Sequence, residues 1–221
     1  MKRAPLALLF LLSLSTSLPV LAAQDISKVN GGISAEAGSQ YRDLDTVNGG
    51  IRVGERAQVR DVETVNGGIT VASHASARNL STVNGGIRAD QQVTVAGDVE
   101  TVNGSVFFDR GSQVDGSIET VNGSIGLVAT RLGKGIETVN GDITVGVGSH
   151  VGGGIRINKP SFSLSMRPAR KPRVVIGPNA VVDGPLEFQR EVVLYVHTSA
   201  RIGPVTGATA QPFSTDTAPQ E

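Results

Sequence analysis

Apolar positions recur along the chain in a fixed frame. In Thr46-Val-Asn-Gly-Gly-Ile-Arg-Val53, residues Val47, Gly49, Ile51 and Val53 share one parity. Val65, Gly67, Ile69 and Val71 repeat that frame. β-Branched residues at period two predict a strand with those side chains on one face. Gly54 marks a turn, and Ala57-Gln-Val59 predicts a second short strand. Val62 belongs to a third piece of opposite parity, which predicts a bend between Val62 and Val65. One repeat therefore reads as three short strands and three corners.

Val-Asn-Gly begins at Val29, Val47, Val65, Val83, Val102, Val121 and Val139, at separations of 18 or 19 residues. A fixed period of this size predicts a solenoid in which each repeat is one turn. Adjacent glycines and abundant Val and Ile argue against helix, where Gly costs about 1 kcal/mol relative to Ala. The expected fold is all-β, a single-stranded parallel β-helix (β-solenoid) with 18–19-residue rungs. A meander of hairpins at the Asn-Gly pairs is the minor alternative.

At one corner the period brings Asn30, Asn48, Asn66, Asn84, Asn103, Asn122 and Asn140 into a column. Rungs rise about 4.8 Å, a spacing at which each amide bonds the next rung. The following Gly is expected to supply a φ > 0 corner. The competing reading of the column is an exposed polar binding strip. Phe107-Phe108 breaks the alternation, so one ring must face out, either beside an enlarged core or as a small sticky patch.

Taken in order, residues 1–23 read as a signal peptide. Lys2-Arg3 is followed by the apolar run Leu6 to Leu12 and by small residues at Val20-Leu-Ala22 and Leu21-Ala-Ala23. The run is short for a membrane span, so no transmembrane anchor is expected after cleavage. Residues 24–158 are the β-helix with its seven Val-Asn-Gly rungs. Residues 159–173 form a loop in which Pro160, Pro168 and Pro172 exclude central strands. Arg167, Arg170, Lys171 and Arg173 in that loop are a candidate contact for an anionic surface; the bland alternative is a solvated connector. Residues 174–206 add two or three turns, with Ile176, Ala180 and Val182 inward, for a rod of roughly 45 Å. Residues 207–221, rich in Thr, Ala and Pro, read as a disordered tail.

Charge narrows the partners. Without Lys2 and Arg3 the chain carries 18 basic and 20 acidic residues, so no general attraction to nucleic acid is expected. There is no cysteine, which excludes disulfides and a thioether-linked lipid anchor.

Candidate chemistry is sparse. Asp45, Glu63, Glu100, Glu119 and Glu137 each precede Thr-Val-Asn and form an acidic column that Ser81 interrupts. It reads as a solvated face first and as a cation or catalytic strip second. His74 and His150 occupy similar corners about four rungs apart, roughly 19 Å, too far for shared metal ligation. His197 lies in the C-terminal strands, and the 18–19-residue drift and Asn-Gly corners fit a hexapeptide acyltransferase, which would need such a histidine, poorly. Val151-Gly-Gly-Gly-Ile155 lacks the Lys-Ser/Thr of a phosphate cradle. No catalytic, cofactor-binding or metal residues, and no cofactor, are assigned.

The leader, the Thr-Val-Asn-Gly-Gly-Ile repeats and the later Ile176-Gly-Pro-Asn-Ala180 rhythm together resemble the bacterial adhesin-type β-strand-repeat family of exported proteins. The resemblance covers most of residues 25 to 206 and implies a right-handed parallel β-helix. Val174 to Leu186 also looks like bactofilins, β-helical polymer-forming scaffolds, although bactofilins face the cytoplasm. These readings together imply an exported, non-enzymatic protein of the periplasm or cell surface. Its role would be structural or adhesin-like, toward an envelope glycan or protein. A self-assembling scaffold is the alternative, and a polysaccharide-active β-helix enzyme ranks third.

Overall fold

The computed structural model describes residues 24–160 and 170–219. The expected signal peptide and Arg167 lie outside the described residues. The described chain is all-β and forms a β-solenoid of ten turns. One ten-stranded sheet takes a single strand from each turn, from Ile33–Ala35 to Ala210–Phe213. A seventeen-stranded sheet collects the other strands. Every pairing between turns is parallel, and equivalent positions of the repeat stand side by side. Ile51 lies beside Ile69, Ile69 beside Ile87, Ile87 beside Val106 and Val106 beside Ile125.

The turn from Ile51 to Asn66 shows how sequence becomes core. Ile51, Val53, Ala57, Val59, Val62 and Thr64 are all buried. Stacking ten such turns gives one continuous apolar column, because each residue meets its equivalents above and below. Burial of that column, at about 25 cal/mol per Å² of apolar surface, and the parallel backbone ladder hold a chain that has no disulfides.

Two of the expected corners differ in detail. The chain runs through Val62–Val65 without bending, within the strand Gln58–Asn66. The parity break falls at Arg60-Asp61, since Val59 and Val62 are both buried. A second corner is a two-residue turn whose last residue has positive φ: Gly38, Arg56, His74, Gln92, Gly111, Ala129, Gly148 and Asn179. Four of these are neither Gly nor Asn, and sequence reading did not find the column. It also separates the two histidines: His74 is a turn residue, whereas His150 lies in the strand His150–Val151 beside Arg131 and Val181.

The stack continues across the Pro/Arg-rich interval. The strand Arg173–Ile176 pairs with Ile143–Val145 on one side and Val193–His197 on the other. The sequence predicts a disordered tail at 207–221, and the described part of it, to residue 219, departs from that. Ala210–Phe213 is the last strand and pairs with Val193–His197. Phe213 meets the His197 ring edge-on, with centroids 5.1 Å apart, and it packs with Val175 and Tyr195. Ala218 covers the same cluster, and Arg173 donates to the Pro219 carbonyl at 2.8 Å. Composition alone missed this because backbone pairing and one aromatic anchor outweigh a Thr/Pro-rich bias.

Phe107-Phe108 resolves into one ring on each side. Phe108 is fully buried, while Phe107 faces out. The Phe107 ring lies against the open Gly126 of the next turn, and the Arg88 guanidinium sits 4.8 Å from its centroid.

Candidate binding face

Each letter of Thr-Val-Asn-Gly has a separate task. The Thr points inward, and its hydroxyl donates to the carbonyl of the corner Gly one turn back. Thr64 reaches Gly49 at 2.8 Å, Thr82 reaches Gly67 at 2.9 Å, and Thr101 reaches Gly85 at 3.0 Å. The Asn side chains form the expected ladder. Asn48 donates to Asn30, Asn66 to Asn48, Asn84 to Asn66 and Asn103 to Asn84, each at 3.0 Å. The ladder continues through Asn122 to Asn140 and is solvent-exposed throughout. It is a bonded structural column and a polar surface strip at once. Arg190 donates to the terminal Asn140 Oδ1 at 2.6 Å and so ends it.

The Gly is required for close approach more than for φ. A Cβ on Gly67 would stand 2.1 Å from the Gly49 carbonyl oxygen, and one on Gly104 1.8 Å from that of Gly85. Only Gly31 and Gly123 of this series have positive φ. The next position has more room, with a Cβ-to-oxygen distance of 3.0 Å at Gly86. That room fits Ser105, Ser124 and Asp142 in later turns.

The Val is the main correction to the sequence reading. It points outward, because the Asn-Gly corner resets the alternation and Thr takes the inward place. Val47, Val65, Val83, Val102 and Val121 are 39–41% exposed, and the end residue Val29, stacked on one side only, is 68% exposed. Single exposed apolar residues are ordinary, but a contiguous stripe marks an interaction surface. The clue in the sequence was the Thr adjacent to every Val but the first: an equally β-branched residue competing for the core.

Two acidic rows flank this stripe, and they differ. In the outer row, Arg60 pairs with Asp43 and Asp61, Arg78 with Asp61, and Lys134 with Asp98. Burial pushes the Asp61 carboxyl up, but hydrogen bonds from Asn79 and Arg78 outweigh it and hold it below its ordinary value. The Ser117 backbone N–H, then its hydroxyl, hold the Asp98 carboxyl low. The inner row is the predicted column: Asp45, Glu63, Ser81, Glu100, Glu119 and Glu137 stand in register, turn by turn. Asp45, Glu63, Glu100 and Glu119 have no ion-pair partner among the described residues. The Asp45 carboxyl is pushed up by burial and then by Asp43, Asp25 and Asp61. Among the described residues the column acquires a cation only at Glu137, with Arg156 3.9 Å away and bridging to Glu187 at 2.9 Å. A shallow groove of about 260 Å³ runs between the inner row and the valines, lined by Glu100, Val102, Glu119, Val121, Glu137 and Val139.

Three of the four basic residues of the loop, those within the described residues, have contacts in the molecule. Arg170 pairs with Asp142 at 2.9 Å, and Lys171 pairs with Glu191 at 3.0 Å. The Arg173 guanidinium lies 5.1 Å from the Tyr195 ring centroid. His150 bonds Asp183, and His197 bonds Ser199, so the two histidines keep separate company. Among the described residues no three His, Asp or Glu side chains converge as metal ligands would. The chemistry on offer is that of a surface: an apolar stripe, an unneutralised carboxylate row and an amide ladder in parallel. No protein-family model, curated protein or solved structure matches this chain.

Proposed function

We propose that this is an exported, non-enzymatic β-helix protein with an adhesin-like binding role at the cell envelope. The observation that carries the reading is the exposed valine stripe beside carboxylates that have no ion-pair partner among the described residues. A stacked face of this kind repeats one weak contact many times, which suits multivalent attachment. The carboxylates lie on an open, shallow face and not in a walled cleft, which favours binding over catalysis. The resemblance to exported adhesin-type repeats points the same way.

The scaffold alternative requires end-to-end stacking, and both ends oppose it. In the first turn Lys28 occupies the place that Thr46 fills in the next, and its Nζ bonds the Gly32 carbonyl at 2.9 Å. A cation there obstructs a further turn. At the other end Pro212 stands in the last strand and has no N–H to pair.

The test joins fractionation to size. The protein should be recovered with envelope fractions, and V65K/V83K should release it. Light scattering and electron microscopy over a concentration series should show no rods. Recovery unchanged by V65K/V83K sinks the binding role, and rods of constant width revive the scaffold.

A further inference from the structure

The valine stripe and its acidic neighbour define what fits them. Both rows come from the same strands: Glu100 and Val102 are alternate residues, as are Glu119 and Val121. The rows are therefore about 6.8 Å apart across the face, and each advances about 4.8 Å per turn along the solenoid. A second copy of this chain is a poor occupant, because it brings the same unpaired carboxylates to the contact. The stripe is also small. Seven rungs of about 4.8 Å and one side chain's width fall short of the roughly 1,200 Å² a stable dimer buries.

We propose that the face docks a basic amphipathic α-helix of a partner protein, lying parallel to the solenoid axis. An extended chain turns one row of side chains toward a surface, whereas a helix turns two adjacent rows. One row would be apolar and lie along Val47 to Val121. The other would be Lys or Arg and face Asp45, Glu63, Glu100 and Glu119. The helix pitch of about 5.4 Å exceeds the rung spacing by about 0.6 Å per turn. Over the four rungs from Asp45 to Glu119 the mismatch is about 2.4 Å, within the swing of flexible Lys and Arg stems. Ser81 sits in the middle of the column, so a cation opposite it has no partner. At Glu137 the carboxylate already faces Arg156, which leaves no unpaired acid for the basic row and sets the end of the site.

This inference rests on the binding reading above, and its test separates the two. The probe is a fluorescent 21-residue helical peptide with one Leu row and one adjacent Lys row. Its binding to the purified protein is followed by anisotropy at several salt concentrations. E100Q/E119Q should weaken binding about tenfold and flatten its salt dependence. V83S/V102S should weaken it at every salt concentration, and S81E should tighten it. Circular dichroism of each variant checks that the fold is retained. Equal binding of a scrambled peptide of the same composition overturns the proposal, as does indifference to E100Q/E119Q. So does a dimer of the protein itself that V83S/V102S dissociates. Envelope recovery that still depends on the valines, with no peptide binding, overturns the helix as partner and leaves the binding role standing. Peptide binding as expected, with recovery indifferent to the valines, supports the helix site and overturns the envelope role alone.

Discussion

The hydroxyl of Thr64 donates to the carbonyl of Gly49, one turn away, across 2.8 Å. That bond joins the inward residue of one turn to the tightest corner of the turn before it. The relation recurs at Thr82, Thr101 and Thr120 and fails at Thr138, whose buried Oγ1 has no partner among the described residues. Equivalent substitutions should therefore have unequal effects. Thr82→Val keeps the shape and removes a bonded hydroxyl, so it should destabilise by about 1 kcal/mol. Thr138→Val removes an unsatisfied one and should be neutral or stabilising by about as much. Denaturant midpoints of the two variants check this. A Thr138→Val cost equal to that of Thr82→Val refutes the assignment.

The corner glycines yield a sharper contrast. A Cβ on Gly85 would stand 2.0 Å from the Gly67 carbonyl oxygen, whereas one on its neighbour Gly86 would stand 3.0 Å from that of Ser105. Backbone on both sides leaves no flexible end to yield. Gly85→Ala should destabilise by about 3 kcal/mol or more, in the range of severe overpacking. Gly86→Ala should cost under about 1 kcal/mol, as the natural Ser at 105 and 124 implies. Thermal melts of the pair decide it.

The architecture was legible because its period is a covalent fact: Val-Asn-Gly every 18 or 19 residues admits few folds. The face was less legible. Parity counted back from Ile51 through Gly49 places Val47 inside, but parity survives only while the chain stays straight, and it turns at Asn48-Gly49. The acidic column could be read directly, since Asp45, Glu63 and Glu100 hold one place in the repeat. Which carboxylates lack cations was harder to read: Arg42–Asp25, Arg60–Asp43 and Arg78–Asp61 pair at a constant separation of 17 residues, one short of the repeat, so the partner is not the equivalent position of the turn before. The ordered C-terminal strand depends on Phe213 finding His197 and Tyr195, a contact between turns that composition does not encode.

Asn84 holds two ladder bonds, donating to Asn66 and accepting from Asn103. Because the ladder is exposed, water replaces much of what a substitution removes. Asn84→Ala should therefore cost about 1 kcal/mol, the scale of ordinary net hydrogen bonds and below that of a buried orphan. Asn140→Ala loses one ladder bond and the Arg190 contact and should cost a similar amount. Chemical denaturation of both variants measures the effect, and an unchanged midpoint for Asn84→Ala leaves the ladder without energetic weight.

Ala129 occupies the left-handed turn position at φ +43, where Gly111 and Gly148 stand in the adjacent turns. A Cβ in that conformation is unfavourable by about 1–2 kcal/mol, partly offset by the greater freedom of Gly in the unfolded chain. Ala129→Gly should therefore raise stability by about 0.5–1 kcal/mol, a gain visible as a higher melting temperature. A lower one contradicts the strain argument.

Asp98 and Asp45 should report acid in opposite directions. Bonds from Ser117 hold the Asp98 carboxyl below its ordinary 3.8, so its contribution is present above that value and is lost as pH falls through the folded value. Asp98→Asn should destabilise at pH 7, and the deficit should close on acidification below about pH 4. Asp45 is raised by burial and by Asp43, Asp25 and Asp61, so its ionised form is penalised in the fold. Asp45→Asn should therefore stabilise at pH 7, and that gain should vanish once pH drops below the unfolded value of about 3.9. Midpoints of urea unfolding from about pH 2 to pH 7 for both variants test the two signs together. A common sign would refute the opposite environments assigned to the two carboxyls.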